Sequence, residues 1–170
     1  MRSLFVILLV ATTWCAAAAQ TPCATPEARQ LDFWLGEWDL TWEGGSGTNH
    51  ITRLFDDCAI EENFVGDMPW GTFHGRSLSV YDARRGVWRQ TWVDNQGSYL
   101  AFEGGLEEDG IVRLLGEAGV APDGRAVVQR MSWTEVTADS LVWRWERSFD
   151  EGETWEAAWV IHYQRSARER

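Results

Sequence analysis

Among the carboxylates of this chain, Glu62 has the setting that most suggests chemistry. In CAIEENF, residues 58–64, strand alternation places Cys58, Ile60, Glu62 and Phe64 on one face, so Glu62 travels inward with an apolar set. A buried carboxylate needs a partner or else takes a raised pKa. Arg76, Arg130 and Arg144 are candidate partners on neighbouring walls. Paired with one of them, Glu62 is half of a structural ion pair. Unpaired, it can anchor a ligand or move a proton.

A second set lies in VWRQTWVDN, residues 87–95, where Trp88, Gln90, Trp92 and Asp94 share a face. An amide and a carboxylate between indoles suit the wall or rim of a cavity. They suit a plugged, rigid barrel equally, with the polar groups satisfied internally. In GTFHGRSLSVYD, residues 71–82, His74, Arg76, Leu78 and Val80 share one face and Phe73, Ser77 and Tyr81 the other. Alternation alone does not assign either face to the interior. The ligand-facing set expected from these segments is Glu62, His74, Trp88, Gln90, Trp92 and Arg144. If the chain is an enzyme, a hydrolase or isomerase, Glu62 with His74 or Asp94 would supply its acid and base.

Eleven of the twelve Trp lie beyond residue 19, far above ordinary usage. Each buries roughly 150–250 Å² when packed, so most belong to a core. Those that reach a cavity would line it for a small hydrophobic or aromatic molecule. Other chemistry is poorly served. The chain has no Gly-x-Ser-x-Gly elbow, phosphate loop, dinucleotide fingerprint or His-Glu-x-x-His. His50, His74 and His162 are scattered singly, which does not make a zinc site, and no cofactor is expected from the motifs. A formal charge of -11 opposes nucleic acid and anionic lipid as partners.

The elements that hold these groups begin after a leader. Residues 1–19 have a basic start at Arg2, an apolar run from Leu4 to Val10 and small residues ending at Ala19. This pattern is a secretory signal cut near Ala19-Gln20, which places the protein outside the cell or in the periplasm. The apolar run is too short for a membrane anchor, and Trp14 before Cys15 is wrong for lipidation. Cys23 and Cys58 remain, and in an oxidising compartment they are expected to pair, against the alternative of two buried free thiols.

Residues 20–35 read as a lead-in with one short helix, Thr25 capping it, Pro26 at its first position and Gly36 at its end. From Gly36, turn signals recur every ten to fourteen residues between alternating apolar runs. Ten strands are predicted, over 36–43, 47–56, 59–66, 71–82, 86–94, 97–104, 110–117, 125–136, 139–148 and 155–165. Short turns imply an antiparallel meander, and a meander this long closes on itself to remove its edges. The expected fold is all-β, an up-and-down β-barrel over 36–165, followed by a tail at 166–170.

Three resemblances follow from particular residues. Gly36-Glu37-Trp38, after a short helix and opening the first strand, resembles the Gly-x-Trp signature of lipocalins and other calycins. That resemblance implies that Trp38 closes the barrel floor and that an Arg near the end, here Arg165 in HYQR, lies across it. SFDEGETW, residues 148–155, resembles the Asp-box hairpin of sialidases. The likeness implies structural roles for Asp150, Gly152 and Trp155 rather than catalysis. DFWLGEWDLTW, DDCAIEENF, GRSLSVYD, VWRQTWVDNQG, FEGG and SFDEGETW through HYQR are together similar to a secreted bacterial family known as a domain of unknown function with a lipocalin-like fold. A further alternative comes from nitrobindin-type calycins, which hold haem through a His near the chain's end. His162 is the matching position, although Gly36-Glu37-Trp38-Asp39-Leu40 departs from that family's opening and alternation sets His162 opposite Trp159 and Ile161.

Overall fold

A computed structural model of the chain describes residues 23–167. The expected signal segment, residues 1–19, and the end of the tail, residues 168–170, lie outside the described residues. Eleven strands follow the lead-in: β1 (Gly36–Trp42), β2 (Gly45–Leu54), β3 (Ala59–Met68), β4 (Gly71–Asp82), β5 (Val87–Asp94), β6 (Tyr99–Leu106), β7 (Val112–Gly116), β8 (Gly119–Val120), β9 (Ala126–Thr134), β10 (Ser140–Ser148) and β11 (Glu156–Arg165). The ten expected strands are all present. The addition is β8, a two-residue strand that pairs Gly119 with Val127 outside the barrel.

Each barrel strand pairs antiparallel with the next, β7 pairs with β9, and β11 returns to β1 through Leu40 opposite Tyr163. Closure leaves ten strands with no free edge, which is the physical reason a long twisted meander curls. The interior alternates as the sequence implies: Trp38 and Leu40 on β1, Ile60, Glu62 and Phe64 on β3, Leu141 on β10, and Ile161 and Tyr163 on β11 are all buried.

The expected continuous helix is replaced by two single 3₁₀ turns, Glu27–Arg29 and Asp32–Trp34. The residues they bury, Ala28, Leu31 and Trp34, are spaced by three. A 3₁₀ helix has three residues per turn, so this spacing keeps all three on the barrel side. Thr25 still caps the first turn, its Oγ1 accepting from the Ala28 amide at 3.3 Å. Gly36 does not end a helix; it opens β1 at φ 115°, where a side chain would be strained.

The lead-in closes one end of the barrel. Trp38 Nε1 donates to the Trp34 carbonyl at 2.8 Å, and Trp88 Nε1 donates to the Glu27 carbonyl at 3.2 Å. The Arg165 guanidinium lies 4.0 Å above the Trp38 ring and donates to the carbonyls of Phe33 and Leu35. Arg53 donates to the Ala28 carbonyl at 3.2 Å and pairs with Asp32. Cys23 and Cys58 are disulfide-bonded, their Cα atoms 5.0 Å apart, tying the lead-in to the β2–β3 turn.

Around the Asp-box turn, Asp150 accepts from the Thr154 amide at 2.9 Å and from Ser148 Oγ at 2.7 Å. Trp155 Nε1 donates to the Gly152 carbonyl at 3.0 Å, and Gly152 sits at φ 94°. The hydroxyl and amide of Thr154, with the Ser148 hydroxyl, hold the Asp150 carboxyl down at about 2. The hydrogen bonds of this turn are local, as befits a hairpin staple, and the Arg130 guanidinium of β9 lies 4.0 Å above the Trp155 ring.

Candidate functional site

Above the closed end the barrel widens into a cup. The register of β4 against β5 shows how the space arises. Gly75, Ser77 and Ser79 face inward opposite Asp94, Trp92 and Gln90. Small residues on one strand thus make room for large ones on the next. Gly75 is required for this, because a Cβ there would overlap the Trp92 ring. The same register decides the parity that alternation left open: Phe73, Ser77 and Tyr81 belong to the interior, and His74 is exposed on the outer face.

The cup has a volume of about 200 Å³. Trp143 and Trp145 from β10 stack at 6.2 Å with ring planes 25° apart. Trp159 from β11 meets Trp143 edge-on, at 6.0 Å and 89°. Phe64, in contact with Trp159 at 6.0 Å, continues the wall with Phe73 and Trp92, its ring lying 6.1 Å from Trp92 and 5.9 Å from Phe73. Phe102, Met131 and Ile161 fill the sides. These rings are large, stiff and apolar, so the wall of the cup is predominantly apolar.

Its base is polar. Glu62 is 6 % exposed and lines the cup. Oε1 accepts from Asn49 Nδ2 at 2.7 Å, and Oε2 accepts from the Ser77 hydroxyl at 2.7 Å. Asn49 Nδ2 also donates to the Tyr163 hydroxyl oxygen at 3.1 Å. Beside them, Gln90 Nε2 donates to Ser79 Oγ at 2.8 Å. Burial pushes the Glu62 carboxyl up to about 7, although the Ser77 and Asn49 hydrogen bonds pull the other way. Tyr163 is pushed up as well, first by burial and then by the adjacent Glu62 charge, so it is a neutral phenol.

The Arg partners considered for Glu62 are elsewhere. Arg76 pairs with Glu61 at 3.0 Å, Arg130 with Glu146 at 2.8 Å, and Arg144 with Glu135 at 3.3 Å. The ion-pair expectation is therefore corrected. All three Arg take the strand parity opposite to the interior, and neutral donors satisfy Glu62 instead.

Asp94 stands among the lining residues at the β5 end of the cup, next to Trp92. Burial opposes its ionisation. Trp92 Nε1, donating at 2.9 Å, and the amides of Ser98 and Gln96 outweigh that burial and hold Asp94 below the ordinary carboxylate range.

Of the residues singled out from the sequence, Glu62, Gln90, Trp92 and Asp94 meet in the cup. Trp88 does not; it is buried at the closed end. His74 and Arg144 point away from the interior, so the ligand-facing assignment of both is corrected. His162 is exposed on the outside of β11, opposite Thr41 and Val142, and does not reach the cup. Sequence reasoning missed the polar trio around Glu62, namely Asn49, Ser77 and Tyr163. The β4 pattern Gly75-x-Ser77-x-Ser79 was the available signal, because small residues in alternation mark the face opposite bulky neighbours. Nothing local pointed to Asn49.

Among the described residues, no group of three or more His, Cys, Asp and Glu is placed to hold a metal ion, and no helix is long and apolar enough to cross a membrane. Comparison with known proteins gives the chain its place. Residues 24–165 match the model of the family described as Protein of unknown function (DUF1579), and the chain belongs to that family. No curated protein matches it.

Proposed function

We propose that the protein is an exported, lipocalin-like carrier or sensor that takes one small hydrophobic or aromatic molecule into the Trp-lined cup. The observation behind this reading is the contrast inside one barrel. One end is filled and hydrogen-bonded shut, while the other keeps about 200 Å³ walled by aromatic rings. A cavity of about 150 Å³ lined by apolar side chains is enough for benzene. The cup therefore suits a single ring with a short substituent rather than a long acyl chain. The leader-like first nineteen residues and the Cys23–Cys58 disulfide support export.

The test is a Trp-fluorescence titration, backed by native mass spectrometry, against single-ring and fused two-ring apolar compounds. One-to-one complexes that compete with one another are expected. A chain that keeps its fluorescence and mass unchanged across the panel would overturn the reading.

A second reading has one observation in its favour, the Glu62 carboxyl near 7 at the base of the cup. Such a group can give or take a proton near neutrality, which suits an isomerase or hydrolase. His74 is removed from that scheme by its outward position, leaving Asp94 as the second carboxylate. Loss of turnover in a folded Glu62→Gln variant would support it. Equal turnover in both forms would end it.

A further inference from the structure

We infer that the cup's ligand is a small organic ammonium, an aromatic or alkyl amine in its charged form, with its cationic head towards Glu62 and its apolar part against the indoles. This rests on the cup being a ligand site and assigns the class of molecule it selects.

The sign of the lining carries the inference. The acidic residues of the cup wall are Glu62 and Asp94, and no Arg or His is among its lining residues. The guanidinium groups on the neighbouring walls are engaged outside, Arg76 on Glu61, Arg130 on Glu146 and Arg144 on Glu135. A carboxylate ligand such as a fatty acid would thus enter a cavity with two acids and no counter-charge. An ammonium meets the reverse situation.

Geometry agrees with the sign. Each oxygen of Glu62 accepts one hydrogen bond, from Asn49 and from Ser77. A carboxylate has about four lone-pair sites, so acceptor capacity remains for an N–H donor. Trp143 and Trp159 meet edge to face at 89°, so the two rings form an apolar corner of the cup. That corner suits the ring of an aromatic amine or the chain of an alkyl amine, and it leaves the ammonium head to Glu62. A cup of about 200 Å³ limits the ligand to one ring or a short alkyl frame beside the head group.

The remaining groups facing Glu62 are neutral: Asn49 from β2, Ser77 from β4 and Tyr163 from β11. Capture of a cation therefore couples to loss of the Glu62 proton. Affinity for an ammonium should rise about tenfold between pH 6 and pH 8.

The test uses the chain with three probes of one shape, benzylammonium, its neutral isostere ethylbenzene, and benzoate, titrated calorimetrically at pH 8. Benzylammonium is expected to bind about tenfold more tightly than ethylbenzene, with benzoate weakest. Glu62→Gln should collapse the ratio of benzylammonium to ethylbenzene affinity towards one. Ethylbenzene or benzoate binding as tightly as benzylammonium would overturn the ammonium assignment and leave the aromatic cup standing. Binding of none of the three would overturn the cup itself.

Discussion

Two ends of one barrel use the same residue type in opposite ways. At the closed end, Trp38 and Trp88 are each about 1 % exposed, and each indole N–H donates to a carbonyl of the lead-in. Arg165 covers the Trp38 ring and is itself fixed by three carbonyls, those of Phe33, Leu35 and Ala138. At the open end, Trp92, Trp143, Trp145 and Trp159 are only partly buried and line the cup. The difference teaches that indole abundance is not itself a sign of ligand binding. A Trp whose N–H is taken by backbone and whose faces are covered is a structural block; a Trp with a free face beside a cavity is a wall.

The largest effect expected from this contrast is on stability at the closed end. Trp38→Ala should cost about 3–5 kcal/mol, since it empties a fully packed site and strands Arg165. Trp143→Ala should cost about 1–2 kcal/mol, because that ring already borders a void, yet it should weaken aromatic ligands at least about tenfold. Urea denaturation with parallel ligand titration measures both. Equal destabilisation by the two substitutions would erase the distinction.

Next in size is the disulfide that pins the lead-in. Removing it as Cys23→Ser with Cys58→Ser should lower stability by about 3–4 kcal/mol, from the loop that it closes. The closed end should loosen first, seen as faster amide exchange at Ala28, Leu31 and Trp34 while β10 and β11 stay protected.

Glu62 gives a pH signature of the open end. Its carboxyl sits near 7 in the fold against 4.5 unfolded, so the native state holds the proton more tightly. Its contribution is then full below about pH 4.5 and is lost as pH rises to about 7, a change of about 3 kcal/mol. The difference in unfolding free energy between wild type and Glu62→Gln, followed from pH 4.5 to 8, isolates that change. A flat difference would mean that Glu62 is ionised and paired after all.

The smallest effects belong to the outer face. His74→Ala and His162→Ala should each change stability by no more than about 0.5 kcal/mol and leave ligand titrations unaltered. A loss of binding in either would place a functional group outside the cup.

How legible this was depended on the range of the interactions. Strand positions and closure follow from local alternation and turn residues, and the Gly36-Glu37-Trp38 opening with Arg165 marked the closed end correctly. The inward face of β3 was readable for the same reason, because Cys58, Ile60 and Phe64 travel with Glu62. What failed was pairing across strands. The partner of Glu62 comes from β2, thirteen residues back, and an Asn there carries no more signal than any exposed amide. Arg was the expected partner by charge, but the parity of Arg76, Arg130 and Arg144 sends each outward. Thr25, Pro26 and Gly36 imply one helix in the lead-in because they signal ends without specifying the pitch between them. The spacing of Ala28, Leu31 and Trp34 held that information.

The central claim is that a small aromatic molecule enters this cup, and Met131 offers a direct probe of it. Its side chain lies in the cup wall, 4 % exposed. In a sample with ¹³C-labelled methionine methyls, ethylbenzene or benzylammonium should shift the Met131 signal by its ring current, saturating at one equivalent. A Met131 signal that stays in place at saturating ligand, whatever moves elsewhere, would contradict the claim.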